Sequence, residues 1–322
     1  MMALGSLGIA VEGGHAATDT FYALSSVGYL YQIDVNTSTF AATTTLKQNL
    51  STWVTTSGTD FHAAYSGLAI DTSTGDIYFS YSYNSSSSSS STGIRTVVPY
   101  VYQNVGGVYQ PAHTLGAAVT STTLGDVAGG WLASAAYYSG AYYAGINASD
   151  TLLKLAITGT TSKSYSSATQ TANFDNTSTT SLTGGDFVIG STGTIYGTTV
   201  TSGGNTFFRQ TVGSASAWTT ATAPAASLEL TTTTSGGSGY ALSTATGNLY
   251  TISSMDATPT FTLKTSGAVS SSLNLTDLSV ISGPLAALPE PSTILGAAAA
   301  TAAVGAEGFR RRRQALLRSH AA

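Results

Sequence analysis

The chain of 322 residues is 42% hydrophobic and 10% aromatic but only 8% charged, where a globular protein averages about 25% charged. Ser and Thr make up about 30% of it, so hydroxyls hydrate the surface where charges ordinarily do, and an ordinary cytosolic enzyme is disfavoured. Residues 1–288 carry six Lys/Arg against thirteen Asp/Glu, a net of −7, which excludes the basic stripe that nucleic acid requires.

Met2 to Val11 is a short apolar run, and His15-Ala16-Ala17 offers small residues for cleavage, so residues 1–17 read as a partial signal peptide. No Lys or Arg precedes the run. The expectation is a true start upstream of Met1, or an apolar region that works without its basic flank, with a mature chain beginning near Thr18.

From Thr18 to Gly283 no window sustains a 3.6-residue apolar period. Short runs of Tyr, Val, Ile and Thr alternate with small-residue turns, which is the signature of strands. The eighteen Tyr and ten Phe supply enough apolar area for one domain of about 250 residues. Four turns share a pattern: Gly28-Tyr29-Leu30-Tyr31, Gly75-Asp76-Ile77-Tyr78, Gly193-Thr194-Ile195-Tyr196 and Gly247-Asn248-Leu249-Tyr250, with Gly140-Ala141-Tyr142-Tyr143 a weaker fifth. In each, glycine meets the positive φ of a tight hairpin and the apolar-aromatic pair begins the returning strand. The glycines stand 47, 65, 53 and 54 residues apart, close to the length of a propeller blade.

These features predict an all-β chain, a β-propeller of about five blades, with six the alternative. Stacked radially, each small sheet covers the next and few edges remain. The segment Leu275 to Val280 reads as an innermost strand with no hairpin after it, and Phe21-Tyr22-Ala23-Leu24 as a hairpin that lacks one. The last strand therefore completes the first blade, giving blades 275–282 with 18–47, 60–115, 123–170, 183–222 and 227–267. Tyr22-Ala23-Leu24-Ser25 and Tyr240-Ala241-Leu242-Ser243 are expected at equivalent positions of two blades. Competing folds are a pair of sandwiches, joined near 115–123, and a β-helix, which would need a shorter repeat. The seven serines Ser85 to Ser91 are expected at a hairpin tip.

The body offers little chemistry to sequence inspection. Of the histidines, His62 and His113 lie in the body, and each reads as a strand-edge residue; no hydrolase elbow, metalloprotease helix, phosphate loop or dinucleotide fingerprint occurs. Asp71-Thr72-Ser73-Thr74-Gly75-Asp76 has oxygen ligands in a tight loop but lacks the spacing of a calcium loop, and an Asx turn explains it better. Catalytic carboxylates must stand at a defined separation, and the twelve acids of the body cannot be paired from sequence. No catalytic residue, metal ligand or cofactor is assigned. Asn36, Asn49, Asn84, Asn147, Asn176 and Asn274 head Asn-x-Ser/Thr triplets, which composition alone largely accounts for. Tyr137-Tyr138-Ser139-Gly140-Ala141-Tyr142-Tyr143 suits either stacking on sugar rings or filling gaps between blades.

The C-terminus has three parts in order. After a linker at 284–288, Pro289, Glu290 and Pro291 hold an extended, exposed tripeptide. An Ala/Gly-rich apolar segment runs from Ile294 to about Phe309, near the short limit for a membrane span, and Arg310, Arg311, Arg312 and Arg313 would stop it on the cytoplasmic side. A short tail, 314–322, follows. Residues 289–313 resemble the PEP-CTERM sorting signal of Gram-negative bacteria, although the apolar segment is Ala-rich, Glu307 stands near its end, and nine residues follow the arginines. The resemblance implies a single-helix sorting tail, transient anchoring in the inner membrane, processing near Pro289-Glu290-Pro291 by an exosortase-type enzyme, and a product at the cell surface or outside the cell. On this reading the propeller body is a non-catalytic structural or carbohydrate-contacting module in extracellular polysaccharide. The alternatives are a secreted hydrolase or lyase with its site at the propeller channel, and a protein-binding adhesin.

Overall fold

The computed structural model describes residues 17–56, 61–84, 95–120, 132–146, 152–171, 185–201, 204–214, 219–233, 236–283 and 285. The partial signal peptide up to residue 16, the serine run and the sorting motif with its arginines lie outside the described residues. Among the described residues, no helix is long and apolar enough to cross a membrane.

Five small antiparallel sheets follow one another along the chain. The first holds β1 (Thr18–Ser25), β2 (Tyr29–Asn36) and β3 (Ala42–Asn49), and the second β4 (Phe61–Asp71), β5 (Asp76–Asn84) and β6 (Arg95–Tyr102). A small hairpin of β7 (Asn104–Val105) and β8 (Val108–Tyr109) follows, and the outer edge of the second sheet is split between β9 (His113–Thr114) and β10 (Val119–Thr120), both paired with β6. The third sheet is β11 (Leu132–Tyr138), β12 (Ala141–Ile146), β13 (Leu152–Thr158) and β14 (Ser164–Thr171). The fourth is β15 (Phe187–Ile189), β16 (Thr194–Thr201), β17 (Gly204–Thr211) and β18 (Thr219–Thr222), and the fifth β19 (Leu228–Thr232), β20 (Gly239–Ser243), β21 (Leu249–Ser253) and β22 (Thr260–Thr265). The last strand, β23 (Leu275–Leu278), pairs antiparallel with β1, Ala23 opposite Leu278 and Leu24 opposite Asp277.

The ring is therefore a five-bladed propeller closed by its C-terminal strand, as the unmatched ends of the sequence suggest. Around the axis the innermost strands run β23, β4, β11, β15, β19 and back to β23, each touching the next. Tyr22-Ala23-Leu24-Ser25 and Tyr240-Ala241-Leu242-Ser243 occupy the second strands of blades one and five, the equivalence their similarity predicts.

Strand alternation sends successive side chains to opposite faces of a blade, and each face meets a neighbouring blade. The result is five separate hydrophobic cores, one per junction. Tyr22, Leu24 and Leu30 meet Leu68, Ile77 and Phe79 between blades one and two; Tyr78 and Val101 meet Tyr142 and Leu153 between two and three. Tyr143 and Leu152 meet Phe187 and Phe208, Tyr196 and Phe207 meet Leu230 and Ile252, and Leu242 and Leu249 meet Phe21 and Leu278 across the closure.

The five recurring glycines, Gly28, Gly75, Gly140, Gly193 and Gly247, all sit in turns with φ between +70° and +86°. Their turns are not all equivalent. Gly75, Gly140 and Gly193 join the first and second strands of their blades, whereas Gly28 and Gly247 join the second and third. The two sets lie at opposite ends of the axis, since successive turns of an antiparallel blade alternate between its ends.

Leu278 is fully buried at the closure. Leu278→Ala is expected to lower the unfolding free energy by roughly 2–5 kcal/mol through the cavity it leaves, measured by urea denaturation of the full chain; a loss below about 1 kcal/mol would mean the closing strand contributes little.

Candidate functional site at the propeller axis

Each innermost strand has one edge paired within its blade and one facing the axis, where N–H groups have no ladder partner. Three acidic residues from three blades converge there: Asp277 on β23, Asp186 just before β15, and Glu229 on β19. Asp186 and Asp277 are fully buried, and Glu229 is nearly so. One oxygen from each lies within 4.8 Å of the others.

Two of the three cap the free strand edges. Asp277 Oδ2 accepts from the N–H of Leu68 at 2.6 Å and of Ala135 at 2.9 Å, joining blade one to blades two and three. Leu68 has an N–H to give because β4 shifts register between Ser66 and Ala69, where Gly67 turns with φ +69°. Asp186 Oδ1 accepts from the Phe187 N–H at 2.7 Å and from the Ser134 hydroxyl, and its Oδ2 accepts from the Leu230 N–H. Blade four is thereby tied to blades three and five. Glu229 differs, since its Oε2 is buried with no hydrogen-bond partner.

Burial, foremost, pushes all three carboxyls up. Asp186 rises from the ordinary carboxylate range to about 7, held from going further by the hydrogen bonds of Ser134, Leu230, Asp277 and Phe187. Glu229 and Asp277 are raised well above that range, by burial and then by the negative charge of Asp186; for Asp277 the charge of Glu229 adds to it. Among the described residues the ion pairs are those of Lys163, and neither involves the three.

At one end of the axis, where β4, β11 and β15 finish, an open cleft of about 440 Å³ is lined by Ile70–Ser73, Tyr137–Gly140, Ile189–Ser191 and Val280. Tyr137 and Tyr138 stand half-buried there. Tyr137 stacks on Tyr78 at 5.1 Å and is pushed up to about 12, chiefly by burial and then by Asp71. Tyr142 and Tyr143 are buried instead, so the tyrosine-rich segment divides between the cleft and the gaps between blades. Three residues separate Ser134 from Tyr137, placing the carboxylates roughly 10 Å below the cleft; none of them lines it.

The turn at Asp71–Asp76 is an Asx turn, with the Ser73 N–H and hydroxyl both given to Asp71 Oδ1. Its positive partner is Lys163, whose Nζ lies 2.7 Å from Asp76 and 3.9 Å from Asp71. His113 stands at a strand edge with Nε2 3.3 Å from the Lys163 carbonyl; the His62 side chain lies outside the described residues. Asn36 and Asn49 use their side-chain oxygens to cap the N–H groups of Ser38, Thr39 and Ser51.

The axial carboxylates escape sequence inspection because residues 186, 229 and 277 are brought together only by ring closure. The one local signal is Glu229, a charge inside the apolar strand Leu228–Thr232.

No protein-family model matches the chain, and no curated protein matches it. Among solved structures it is similar to a chain of the nidogen/laminin complex, at 8% identity and TM-score 0.43, covering 82% of this chain and 98% of that one. It is also similar to a putative 6-phosphogluconolactonase from Bacteroides uniformis, at 11% identity and TM-score 0.35, covering 77% and 67%. A third is apo AztD from Citrobacter koseri, at 10% identity and TM-score 0.31, covering 80% and 62%. The propeller assignment rests on the strand pairing described above.

A carboxyl raised in the folded state binds a proton there that the unfolded chain has released, so its stabilising contribution holds below the ordinary carboxyl range and is lost as pH rises. In EDTA, the melting temperature of the full chain is expected to fall between pH 5 and pH 8, and Glu229→Gln to flatten that fall. A melting temperature that rises or stays level over this range in the wild type would show that the axial acids are not held protonated.

Proposed function

We propose that the chain is an exported cell-surface or extracellular-matrix protein of a Gram-negative bacterium, with a propeller that acts as a non-catalytic structural or carbohydrate-contacting module. The export half of this reading is carried by the order of Pro289-Glu290-Pro291, apolar segment and Arg310–Arg313, which suits transient anchoring in the inner membrane and cleavage by an exosortase-type enzyme. The hydroxyl-rich, charge-poor composition supports it, because such a surface stays hydrated without relying on screened charges.

The carbohydrate half is carried by the cleft at the end of the axis. Tyr138 presents a half-buried ring, and Thr72, Ser73, Ser139 and Ser191 bring hydroxyl-bearing side chains to the same lining. An aromatic face with hydroxyl partners is the chemistry that receives a sugar ring, and extracellular polysaccharide is the partner it fits. The convergence of three carboxylates favours the alternative of a secreted hydrolase or lyase. Against that, they lie buried below the cleft, and two of them are committed to backbone N–H groups. Among the described residues, the lone carboxylate in the cleft lining, Asp71, is held by Ser73 and Lys163.

Fractionation of the native organism tests export: the processed product is expected outside the inner membrane, and full-length protein in the cytosol with its tail intact would defeat the claim. For the cleft, affinity electrophoresis in gels containing the organism's own polysaccharide is expected to retard the protein. Tyr138→Ala should weaken that interaction roughly tenfold, about 1.4 kcal/mol; retardation unchanged by the substitution would remove the cleft from the reading.

A further inference from the structure

We infer that Asp186, Glu229 and Asp277 together hold one Ca2+ ion on the propeller axis. The inference is independent of the cleft and of export. One oxygen from each residue lies within 4.8 Å of the others. Ca2+ binds oxygens at about 2.3–2.6 Å, so two ligands on opposite sides of one ion stand roughly 4.6–5.2 Å apart. The three carboxylates thus already span no more than a single coordination sphere, without movement of any strand. The donors are all carboxylate oxygens, the set that suits a hard cation and not zinc or copper.

A second observation points to a ligand. Glu229 is 9% exposed, and its Oε2 is buried without a hydrogen-bond partner. Leu228 and Leu230 on either side of it pack into the core between blades four and five, so alternation along β19 turns Glu229 the other way, towards Asp186 and Asp277. Where those two aspartates accept backbone N–H groups, Glu229 Oε2 accepts nothing. A carboxylate oxygen buried without a partner is costly. The ion pairs among the described residues belong to Lys163 with Asp71 and Asp76, and neither brings a cation to the three carboxyls.

A divalent cation supplies both missing elements, a positive charge and a partner for Oε2. Each carboxylate offers about four acceptor positions, so Asp186 and Asp277 can keep their N–H donors and still bind the ion. Mg2+ fits less well, because it keeps several waters in a strict octahedron and these side chains are buried. The bound ion would join blade one, through Asp277, to blades four and five, across the seam where the chain's last strand closes the ring.

The test uses the full chain, dialysed against EDTA and titrated at pH 8 with CaCl2, or with MgCl2 as comparison. Metal content is read by mass spectrometry and stability by thermal unfolding. The expected result is one Ca2+ per chain and a melting temperature that climbs with Ca2+ concentration, with little response to Mg2+. Glu229→Gln caps no backbone group, so it should fold, melt in EDTA no lower than the wild type, and bind Ca2+ at least about 100-fold more weakly because one ligand charge is gone. Asp277→Asn, which keeps a carbonyl oxygen for Leu68 and Ala135, should lose the response in the same way. Absence of Ca2+ and of any shift in the wild type would overturn the site, as would undiminished binding by Glu229→Gln or an equal response to Mg2+.

Discussion

A closed ring of strands has to satisfy its innermost edges, and in this chain carboxylates do so. Water could solvate those N–H groups only if the axis were open, and the axial residues are buried. Asp277 and Asp186 reach across the axis and accept N–H groups from blades that their own blades do not pair with. An unmet N–H in such a place costs about 1–3 kcal/mol, so each aspartate offsets several such penalties while fixing the rotation of one blade against another. The charge this requires is itself unfavourable in a buried setting, which is why the same carboxyls are pushed up so far.

Away from the axis, the blades meet through five apolar cores that each belong to one junction. Aromatic rings carry much of that contact: Tyr78, Tyr102, Tyr142 and Tyr196 are each almost wholly buried. The tyrosine ring fills the gap between two sheets, and the hydroxyls of Tyr142 and Tyr196 also find partners, whereas those of Tyr78 and Tyr102 are buried without one. The partners of Tyr142 are the Gly67 carbonyl and Ser80 of the preceding blade, both at 2.7 Å. With rings spanning the junctions and hydroxyls hydrating the outside, the chain needs few charges, and two of those it has, Lys163 and Asp76, join blade three to blade two.

Blade count and closure were legible because both follow from local pattern. Glycine turns mark the hairpins, and an orphan strand at one end matches an orphan hairpin at the other. Even so, identical motifs misled about equivalence: Gly28-Tyr29-Leu30-Tyr31 and Gly75-Asp76-Ile77-Tyr78 look alike but lie at opposite ends of the axis. A tight turn between two strands makes the same demand on sequence wherever it falls in a blade, so the motif reports a hairpin and not its place. The axial acids were illegible for a different reason. Asp186 and Asp277 lie 91 residues apart in sequence, and each alone is indistinguishable from a turn aspartate such as Asp71.

The two parts of the axis impose opposite requirements, and the chain separates them by about three residues of strand, roughly 10 Å. The acidic level must be dry and fixed, since its geometry depends on short hydrogen bonds to backbone from four blades. The cleft level is open, ringed by Tyr137, Tyr138 and hydroxyls supplied by turns. Strand β11 serves both, with Ser134 and Ala135 at the acids and Tyr137 and Tyr138 at the cleft. Anything that tightens the acidic level therefore sets the stagger of the strands whose ends form the cleft. The rigidity of the lower level is what allows turns of small residues to hold a defined shape above it.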